Sequence, residues 1–301
     1  MKRIVSLLVM AAILLSGCSK SSKTDDYSLK VLTPTGAPAV ASIPLSNQGF
    51  DVSYDNGGTN IQAALINPTP EYDVIIAPVN LGVTLISKGS TTYRLHSVVT
   101  WGNLYLVEST KEGALNNLAL FGENAVPGKV FESVKSLLAL SVDQSTYYAS
   151  VSEAQQVLMS GQAKYALLAE PLVTASIAKA KQSGFEISIA KDVQSLWKEK
   201  NGDDNYPQAG IFVEETIYDE HKTAVDAAVK SMGDYLTAHE TLESDIDRIG
   251  VEKLGVPSSA IIKSAWDRMN LKVVSAKDSS AQLTNFLSLF NIEWKTDFSS
   301  K

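Results

Sequence analysis

"EAQQVLMSGQAKYALLAEPLV", residues 153–173, contains the local pattern that decides the fold. Its first half has apolar residues at helical spacing and predicts a helix over 150–162, capped by Ser152 and ended by Gly161. The run 164–171 is apolar along most of its length, as strands buried on both faces are, and a proline stops it. A helix followed at once by a buried strand indicates one unit of an α/β fold.

The same alternation continues on both sides of this stretch. Short β-rich runs alternate with amphipathic or capped helical segments up to residue 216, and the rest of the chain is mainly helical. Strands are predicted at 29–34, 50–55, 72–78, 93–109 (two runs parted by 101–103), 164–171, 185–190 and 208–215, and late helices at 222–239, 257–270 and 279–290. The stretch 117–140 is predicted to form a further strand, a loop and an amphipathic helix. Such alternation predicts an α/β fold with mostly parallel sheets, and the strand–helix series runs twice. The stretches 98–107 and 208–213 are where the chain can cross between the two halves.

The first 18 residues hold the only cysteine of the 301-residue chain, Cys18. A basic start and an apolar run over 4–15 precede it, long enough for a signal-peptide core and shorter than the ~20 residues of a membrane span. Leu15-Ser16-Gly17-Cys18 resembles the bacterial lipobox, in which the cysteine is acylated and becomes the first residue. We therefore predict a signal peptide at 1–17, and a lipidated Cys18 with a polar tether at 18–26 that anchors the chain to the bilayer outside the cytoplasm.

Composition and charge narrow the possible partners. Cleavage before Cys18 leaves 284 residues, enough for one large core or two lobes. With Cys18 lipidated, no free thiol remains for disulfides, metal sites or catalysis. The net charge of −7 becomes −9 when Lys2 and Arg3 leave with the signal, and the sequence has no basic stripe. Nucleic acid is therefore not an expected partner. We expect a monomer.

Several stretches together resemble the substrate-binding proteins of ABC importers, most of all the nitrate, sulfonate and thiamine-precursor group with the type II periplasmic-binding fold. They are "TPTGAPAV", "GGTNIQAAL", "YDVIIAPVNLG", "VVTWGNLYLV", "LFGENAVPGKV", the 153–173 stretch and "YPQAGIFV". The resemblance covers nearly all of the chain after the tether. It implies a two-lobe architecture, with residues 27–103 and 211–301 in lobe 1 and residues 104–210 in lobe 2. It also implies a small-molecule ligand bound between the lobes, an ABC permease as membrane partner, and no enzymatic activity.

In open α/β sheets ligands bind beyond the carboxyl ends of the strands, and this places the candidate site in the loops at those ends. Helices that start at 35–38, at 59 and at 127 are expected to direct free N–H groups to a ligand there. The candidate ligand-binding residues in these loops are Thr35, Gly36, Thr59, Asn80, Trp101, Asn103, Glu123, Glu170, Tyr206 and Gln208.

Each side chain in this set has a functional and a structural interpretation. Trp101 can stack on a flat ligand or pack in the hinge, and Tyr206 can stack on a ligand or lie on the surface. The amides of Asn80, Asn103 and Gln208 can orient a ligand or serve in turns and caps. Glu170 can pair with a ligand cation, with the other lobe or with solvent. Glu123 can act similarly or place negative charge at a helix start.

The candidate loops contain no arginine, whose fork often binds a strong anion, so the sequence favours an organic ligand with a flat or amine-bearing part. No cofactor or metal is predicted, because His96, His221 and His239 lack metal-ligand spacing. Two alternatives stay open. One is an enzyme on the same two-lobe fold, although no nucleophile–base pair is evident, and the other is a ligand-sensing surface lipoprotein.

Overall fold

The computed structural model describes residues 27–56, 59–203 and 205–300. The predicted signal peptide, Cys18 and the tether lie outside the described residues. Within the described ranges, none of the helices is both long enough and apolar enough to cross a membrane.

Six strands form the first sheet, in the order β11-β4-β10-β3-β1-β2. β1 pairs in parallel with β2 and β3, whereas β10 is antiparallel to β3 and β4, and β11 is antiparallel to β4. Their bounds are β1 (Lys30–Pro34), β2 (Asp51–Asp55), β3 (Val74–Pro78), β4 (Tyr93–Trp101), β10 (Pro207–Glu214) and β11 (Leu271–Ser275).

Five strands form the second sheet, in the order β7-β6-β8-β5-β9. β6 pairs in parallel with β7 and β8, and β5 is antiparallel to β8 and β9. Their bounds are β5 (Leu104–Ser109), β6 (Asn117–Phe121), β7 (Gln144–Tyr148), β8 (Tyr165–Ala169) and β9 (Ile187–Asp192).

Helices cover both sheets and bury their apolar faces. The first lobe contains α1 (Ala37–Ala41), α2 (Ile43–Asn47), α3 (Thr59–Ile66), α4 (Val79–Ser87), α9 (Glu215–Ala238), α10 (Leu242–Ile249), α11 (Val251–Leu254), α12 (Ser259–Met269) and α13 (Ser280–Ser288). The second contains α5 (Val126–Val134), α6 (Val151–Ser160), α7 (Leu172–Gln182) and α8 (Val193–Asn201). Apolar residues of α2 and α9 pack on one face of the first sheet, and those of α3, α4 and α13 on the other. The second of these cores continues without a break into the second lobe.

The predicted two-lobe α/β fold is confirmed, and the sheets are mixed in strand direction. β5 and β10 are antiparallel to their neighbours because each enters its sheet at the edge where those neighbours end. At the first crossing the chain passes from β4, which ends at Trp101, to β5, which begins at Leu104. At the second crossing β10 already belongs to the first sheet from Pro207, a few residues before the predicted limit of 211.

The stretch 153–173 forms the predicted helix and strand, α6 and β8, and Gly161 ends the helix at φ 84°. The cap is Ser150 instead of the predicted Ser152. The Ser150 side chain accepts the N–H of Glu153, and the Glu153 carboxylate accepts the N–H of Ala149. The arrangement differs from a capping box in one respect, because the glutamate accepts the N–H of the residue before the cap instead of that of Ser150. With Ser150 as the cap, Ser152 lies inside the first turn.

Candidate ligand-binding site at the lobe junction

The carboxyl edges of both sheets face the junction between the lobes. In the first sheet β1, β2, β3 and β4 all point toward this edge, and β4 ends at Trp101. After two connecting residues the chain enters the second sheet at Leu104, at the edge where β6, β7, β8 and β9 end. This arrangement places the strand-end loops of the two lobes opposite each other.

The first crossing depends on close backbone packing at Gly102. Its N–H donates to the Tyr206 carbonyl at 2.9 Å, which ties the two crossing segments together. A Cβ at this position would lie 2.4 Å from Asn205 Oδ1 and from the Tyr206 ring, so only glycine fits. The side-chain amides of Asn270 and Asn205 both donate to the Gly102 carbonyl, at 2.7 and 3.3 Å.

An ion pair joins the lobes beside this crossing. Arg268, at the end of α12 in the first lobe, donates from Nε to Glu170 Oε1 at 2.6 Å and from a terminal nitrogen to Thr174 Oγ1 at 2.6 Å. Glu170 follows β8 in the second lobe, and its side chain is 0% exposed. Its carboxylate also accepts the N–H and the hydroxyl of Thr174, at 3.1 and 2.9 Å. Of the predicted interpretations of Glu170, the pair with the other lobe is the contact that the structure contains.

Asn103 and Tyr105 support this ion pair. The Asn103 amide donates to the Glu170 carbonyl at 3.3 Å, and the Glu170 N–H donates to the Asn103 carbonyl at 3.0 Å. The Tyr105 hydroxyl donates to the Arg268 carbonyl at 3.0 Å, which links β5 of the second lobe to the end of α12. Asn103 is 5% exposed, so its amide serves the junction itself.

Tyr206 lies in the hinge core, which corrects both expectations for this residue. It is 0% exposed, and its ring packs between Trp197 of the second lobe and Phe286 of the first, at centroid distances of 5.1 and 6.2 Å. Its hydroxyl donates to Gln194 Oε1 at 2.9 Å, and burial raises the pKa of Tyr206 well above its ordinary value. The ring is therefore neither on the surface nor free to stack on a ligand.

Trp101 turns toward β11, the edge strand of the first sheet. Its indole N–H donates to the Lys272 carbonyl at 2.9 Å, and the residue is 8% exposed. β3, β1 and β2, whose ends form the predicted ligand site, lie beyond β10 on the other side of β4. Trp101 is thus a hinge-packing side chain, and its indole also lines a cavity beside β11.

The N–H groups of Thr35 and Gly36 are engaged within the first lobe. Thr35 donates to the Asp55 carbonyl at 2.9 Å, and Gly36, at φ 85°, donates to the Leu254 carbonyl at 2.8 Å. The expectation of free N–H groups at these two positions is wrong, because α11 and the end of β2 supply their acceptors. Their contribution to a ligand would come from shape and from the Thr35 hydroxyl.

Four predicted residues occupy strand ends or helix starts around the junction. Asn80 is the second residue of α4, and its Oδ1 is buried without a hydrogen-bond partner. Thr59, the first residue of α3, is exposed, as is Glu123 in the turn before α5. Gln208 is half-buried in β10. A buried acceptor without a donor lowers the stability of the folded protein. Asn80 Oδ1 is therefore the atom among these four residues whose hydrogen bonding a ligand donor would complete.

Sequence reasoning missed Arg268 because it lies on a helix, 98 residues from Glu170 and outside every strand-end loop. Its only local signal is its place in the last turn of α12, where a cation is favoured. Gln194 was also missed. Its amide oxygen accepts both the Tyr206 hydroxyl and the Leu104 N–H, so it holds the two crossings at one point.

A hydrogen-bond chain in the first lobe has the composition of a hydrolase triad. His96 Nδ1 lies 2.8 Å from Ser97 Oγ, and His96 Nε2 lies 3.1 Å from Asp226 Oδ1. Ser97 is 2% exposed, so a substrate has no access to its hydroxyl. Burial lowers the pKa of His96, against the opposing effect of Asp226. We interpret this chain as structural.

The lobe arrangement and the junction define a two-lobe periplasmic-binding fold. Comparison with solved structures gives the same fold, with matches over most of each chain. An ABC transporter protein from Parabacteroides distasonis has a TM-score of 0.72 and 21% identity over 88% of this chain and 92% of its own. The periplasmic aliphatic sulphonate binding protein SsuA from Escherichia coli has a TM-score of 0.63 and 11% identity, over 88% and 86%. The ligand-binding component of an ABC-type import system from Staphylococcus aureus, with zinc bound, has a TM-score of 0.64 and 10% identity, over 91% and 97%.

No protein-family model matches the sequence, and no curated protein matches it. Two of these structures are described as a sulphonate-binding protein and as the ligand-binding component of an ABC-type import system, and the third as an ABC transporter, in agreement with the sequence resemblance. At such low identity the likeness establishes the fold.

Proposed function

We propose that this chain is the solute-binding lipoprotein of an ABC importer. It captures a small organic molecule between its lobes and delivers it, chemically unchanged, to a membrane permease. The observation that carries this proposal is the junction: strand-end loops of two lobes face each other across a double crossing, and Arg268 and Glu170 bridge the lobes. Ligands of open α/β sheets bind at such edges.

Closure of the lobes supplies the binding mechanism. The Arg268–Glu170 pair and the hydrogen bond from Tyr105 to α12 join the two lobes, and we expect them to favour the closed arrangement. A ligand that touches both lobes adds contacts to this closed state alone and so shifts the population toward it. The permease can then distinguish the loaded, closed form from the empty, open one.

Asn80 is the residue that we expect to hold the ligand from the first lobe. Its Oδ1 is buried and lacks a donor, so a ligand N–H or O–H there would satisfy an otherwise costly acceptor. The positive charge of Arg268 at the junction is already paired with the Glu170 carboxylate, and Arg268 also donates to Thr174. Both features favour a neutral or amine-bearing ligand over a strong anion.

A thermal-shift screen of the full-length protein, expressed in a bacterial host and purified in detergent, tests this function. The compounds are thiamine precursors, pyrimidines, flavin-like heterocycles, amines, sulfonates and nitrate. A true ligand at about 100 times its Kd adds about 2.7 kcal/mol of stability. Mass spectrometry should recover the ligand unchanged. Turnover would favour the enzyme alternative, and the absence of any stabilising compound would contradict the importer function.

The variant Asn80→Leu tests the proposed ligand contact. We expect about a tenfold loss of affinity for the screened ligand, because one buried hydrogen bond is lost. The stability of the empty protein should stay the same or rise, because a buried acceptor without a partner has been removed. Gln182→Leu, on the exposed end of α7, is the matched control and should leave affinity unchanged. Equal affinity in both variants would exclude Asn80 from the site.

We also propose that the protein is a monomer anchored to the outer side of the cell membrane through a lipid on Cys18. This rests on the lipobox-like stretch 15–18 and on the tether before the first described residue, Tyr27. Metabolic labelling with a palmitate analogue should mark the wild-type protein and leave Cys18→Ala unlabelled. Labelling of the alanine variant would show that the lipid is attached at another residue.

A further inference from the structure

A cavity of about 540 Å³ lies beside β11 in the first lobe. Its walls come from the end of α12, from β11, from the start of α13 and from the crossing segments. Its lining includes Trp101, Asn205, Trp266, Asp267, Asp278 and Gln282. The volume falls within the range of about 300–1,000 Å³ that is typical of small-molecule sites. We call it the rear cavity.

The rear cavity is separate from the candidate ligand site. In the first sheet the crossing strands β4 and β10 stand between β11 and the strands β3, β1 and β2. The candidate cleft residues Thr35 and Asn80 follow β1 and β3, on the far side of this pair. A molecule in the rear cavity would instead contact Trp101 and Asn205, which belong to the two crossings.

The walls combine flat aromatic surface with acceptors. Two indoles, of Trp101 and Trp266, offer faces or edges to a planar molecule. The carboxylates of Asp267 and Asp278 outnumber the one lysine of the lining, Lys272, so the local charge is negative. Cations are favoured beside both aromatic faces and carboxylates.

Gln282 provides a second, independent reason to expect a ligand in the rear cavity. Its Oε1 is buried and has no hydrogen-bond partner, although the side chain lies in the cavity wall. The terminal torsion of a glutamine is broad, so a small rotation presents this oxygen to the cavity. A ligand N–H would then satisfy an acceptor that the protein leaves without a donor.

We propose that the rear cavity is a second binding site, for a small planar organic cation whose N–H groups bond to Gln282 and Asp267. This inference does not depend on the identity of the ligand in the cleft. Because Asn205 and Asn270 also hold the Gly102 carbonyl, an occupant of this cavity touches residues that fix the hinge.

Titration of the full-length protein in detergent with benzamidine tests the proposal, and benzoate serves as a planar anion of matched size. The chain has four tryptophans, so the indole N–H signals in a ¹⁵N NMR spectrum report the location of binding. Benzamidine should shift the signals of Trp101 and Trp266 in a saturable way and leave those of Trp197 and Trp294 in place. Benzoate should shift none of the four.

Variants of the cavity wall separate binding from nonspecific charge effects. Gln282→Leu and Asp267→Asn should each weaken benzamidine binding about fivefold to tenfold, the loss of one charge-assisted hydrogen bond. Asp247→Asn, on an exposed part of α10, removes the same charge elsewhere and should leave binding unchanged.

Four outcomes of these titrations would overturn the proposal of a rear binding site. They are the absence of any saturable shift, equal shifts at all four indoles, equal binding of benzoate, or binding that Gln282→Leu and Asp267→Asn leave intact. Loss of benzamidine binding in Asn80→Leu, with the cavity variants unaffected, would place the probe in the cleft. That result would refute the rear site and leave the proposed importer function standing.

Discussion

The pair between Arg268 and Glu170 permits a quantitative test of how the lobes are held together. The Glu170 side chain is fully buried, and it accepts one bond from Arg268 and two from Thr174. The perturbations are Arg268→Met, which removes the cation and keeps the aliphatic stem, and Glu170→Gln, which removes the charge at constant size.

The expected magnitudes follow from burial. Leaving a buried charge without its partner typically costs about 3–5 kcal/mol. The Arg268 side chain is 37% exposed and Thr174 still bonds Glu170, so water and hydrogen bonds reduce this cost. We expect about 2–3 kcal/mol for Arg268→Met. Glu170→Gln should cost less, about 1–2 kcal/mol, because the arginine that remains can turn to solvent.

Urea denaturation of both single variants and of the double variant measures the coupling. If the two groups act on each other, the double variant should lose at least about 1 kcal/mol less than the sum of the single losses. Lys230→Met is the control, because Lys230 forms an exposed pair with Asp234 and should change stability by at most about 0.5 kcal/mol. Additive losses, or an Arg268→Met loss no larger than that of the control, would refute the interlobe pair as a stabilising contact.

Two further perturbations test the packing and the titration of the first lobe. Gly82→Ala should destabilise the protein by about 1–3 kcal/mol in thermal unfolding, because the new Cβ would lie 2.1 Å from the Phe212 ring. Gly233→Ala is the control and should be neutral or stabilising, because the nearest atom to its Cβ, in Val273, is 3.6 Å away. A larger loss of stability in Gly233→Ala than in Gly82→Ala would contradict the packing. Burial holds the pKa of His96 below its ordinary value of 6.5, so as pH falls through 6.5 the unfolded chain binds this proton first. The free energy of unfolding should therefore decrease from about pH 6.5 downward and be unaffected by His96 above it, and His96→Gln should reduce that slope; an identical pH profile in the variant would show that His96 contributes nothing.

Much of the fold is readable from the sequence because its signals are local. The buried run in β8 and the left-handed glycine at 161 depend on residues a few positions apart, so periodicity and turn chemistry reveal them. The sequence did not reveal β7 and β11, because they lack such a local signal. Both are edge strands with exposed or half-buried side chains, and such strands need no apolar run.

Some features of the candidate site also follow from the local sequence, and others follow only from tertiary packing. The sequence by itself determined the strand ends, and with them the places of Asn80 and Glu170 just beyond two of these strands. The tertiary structure alone decided that Arg268 reaches Glu170, that Tyr206 is sealed in the hinge and that Trp101 faces β11. These outcomes depend on how α12, α13 and β11 pack against the crossings. Residues about 100 positions apart meet there through packing geometry, which no local pattern encodes.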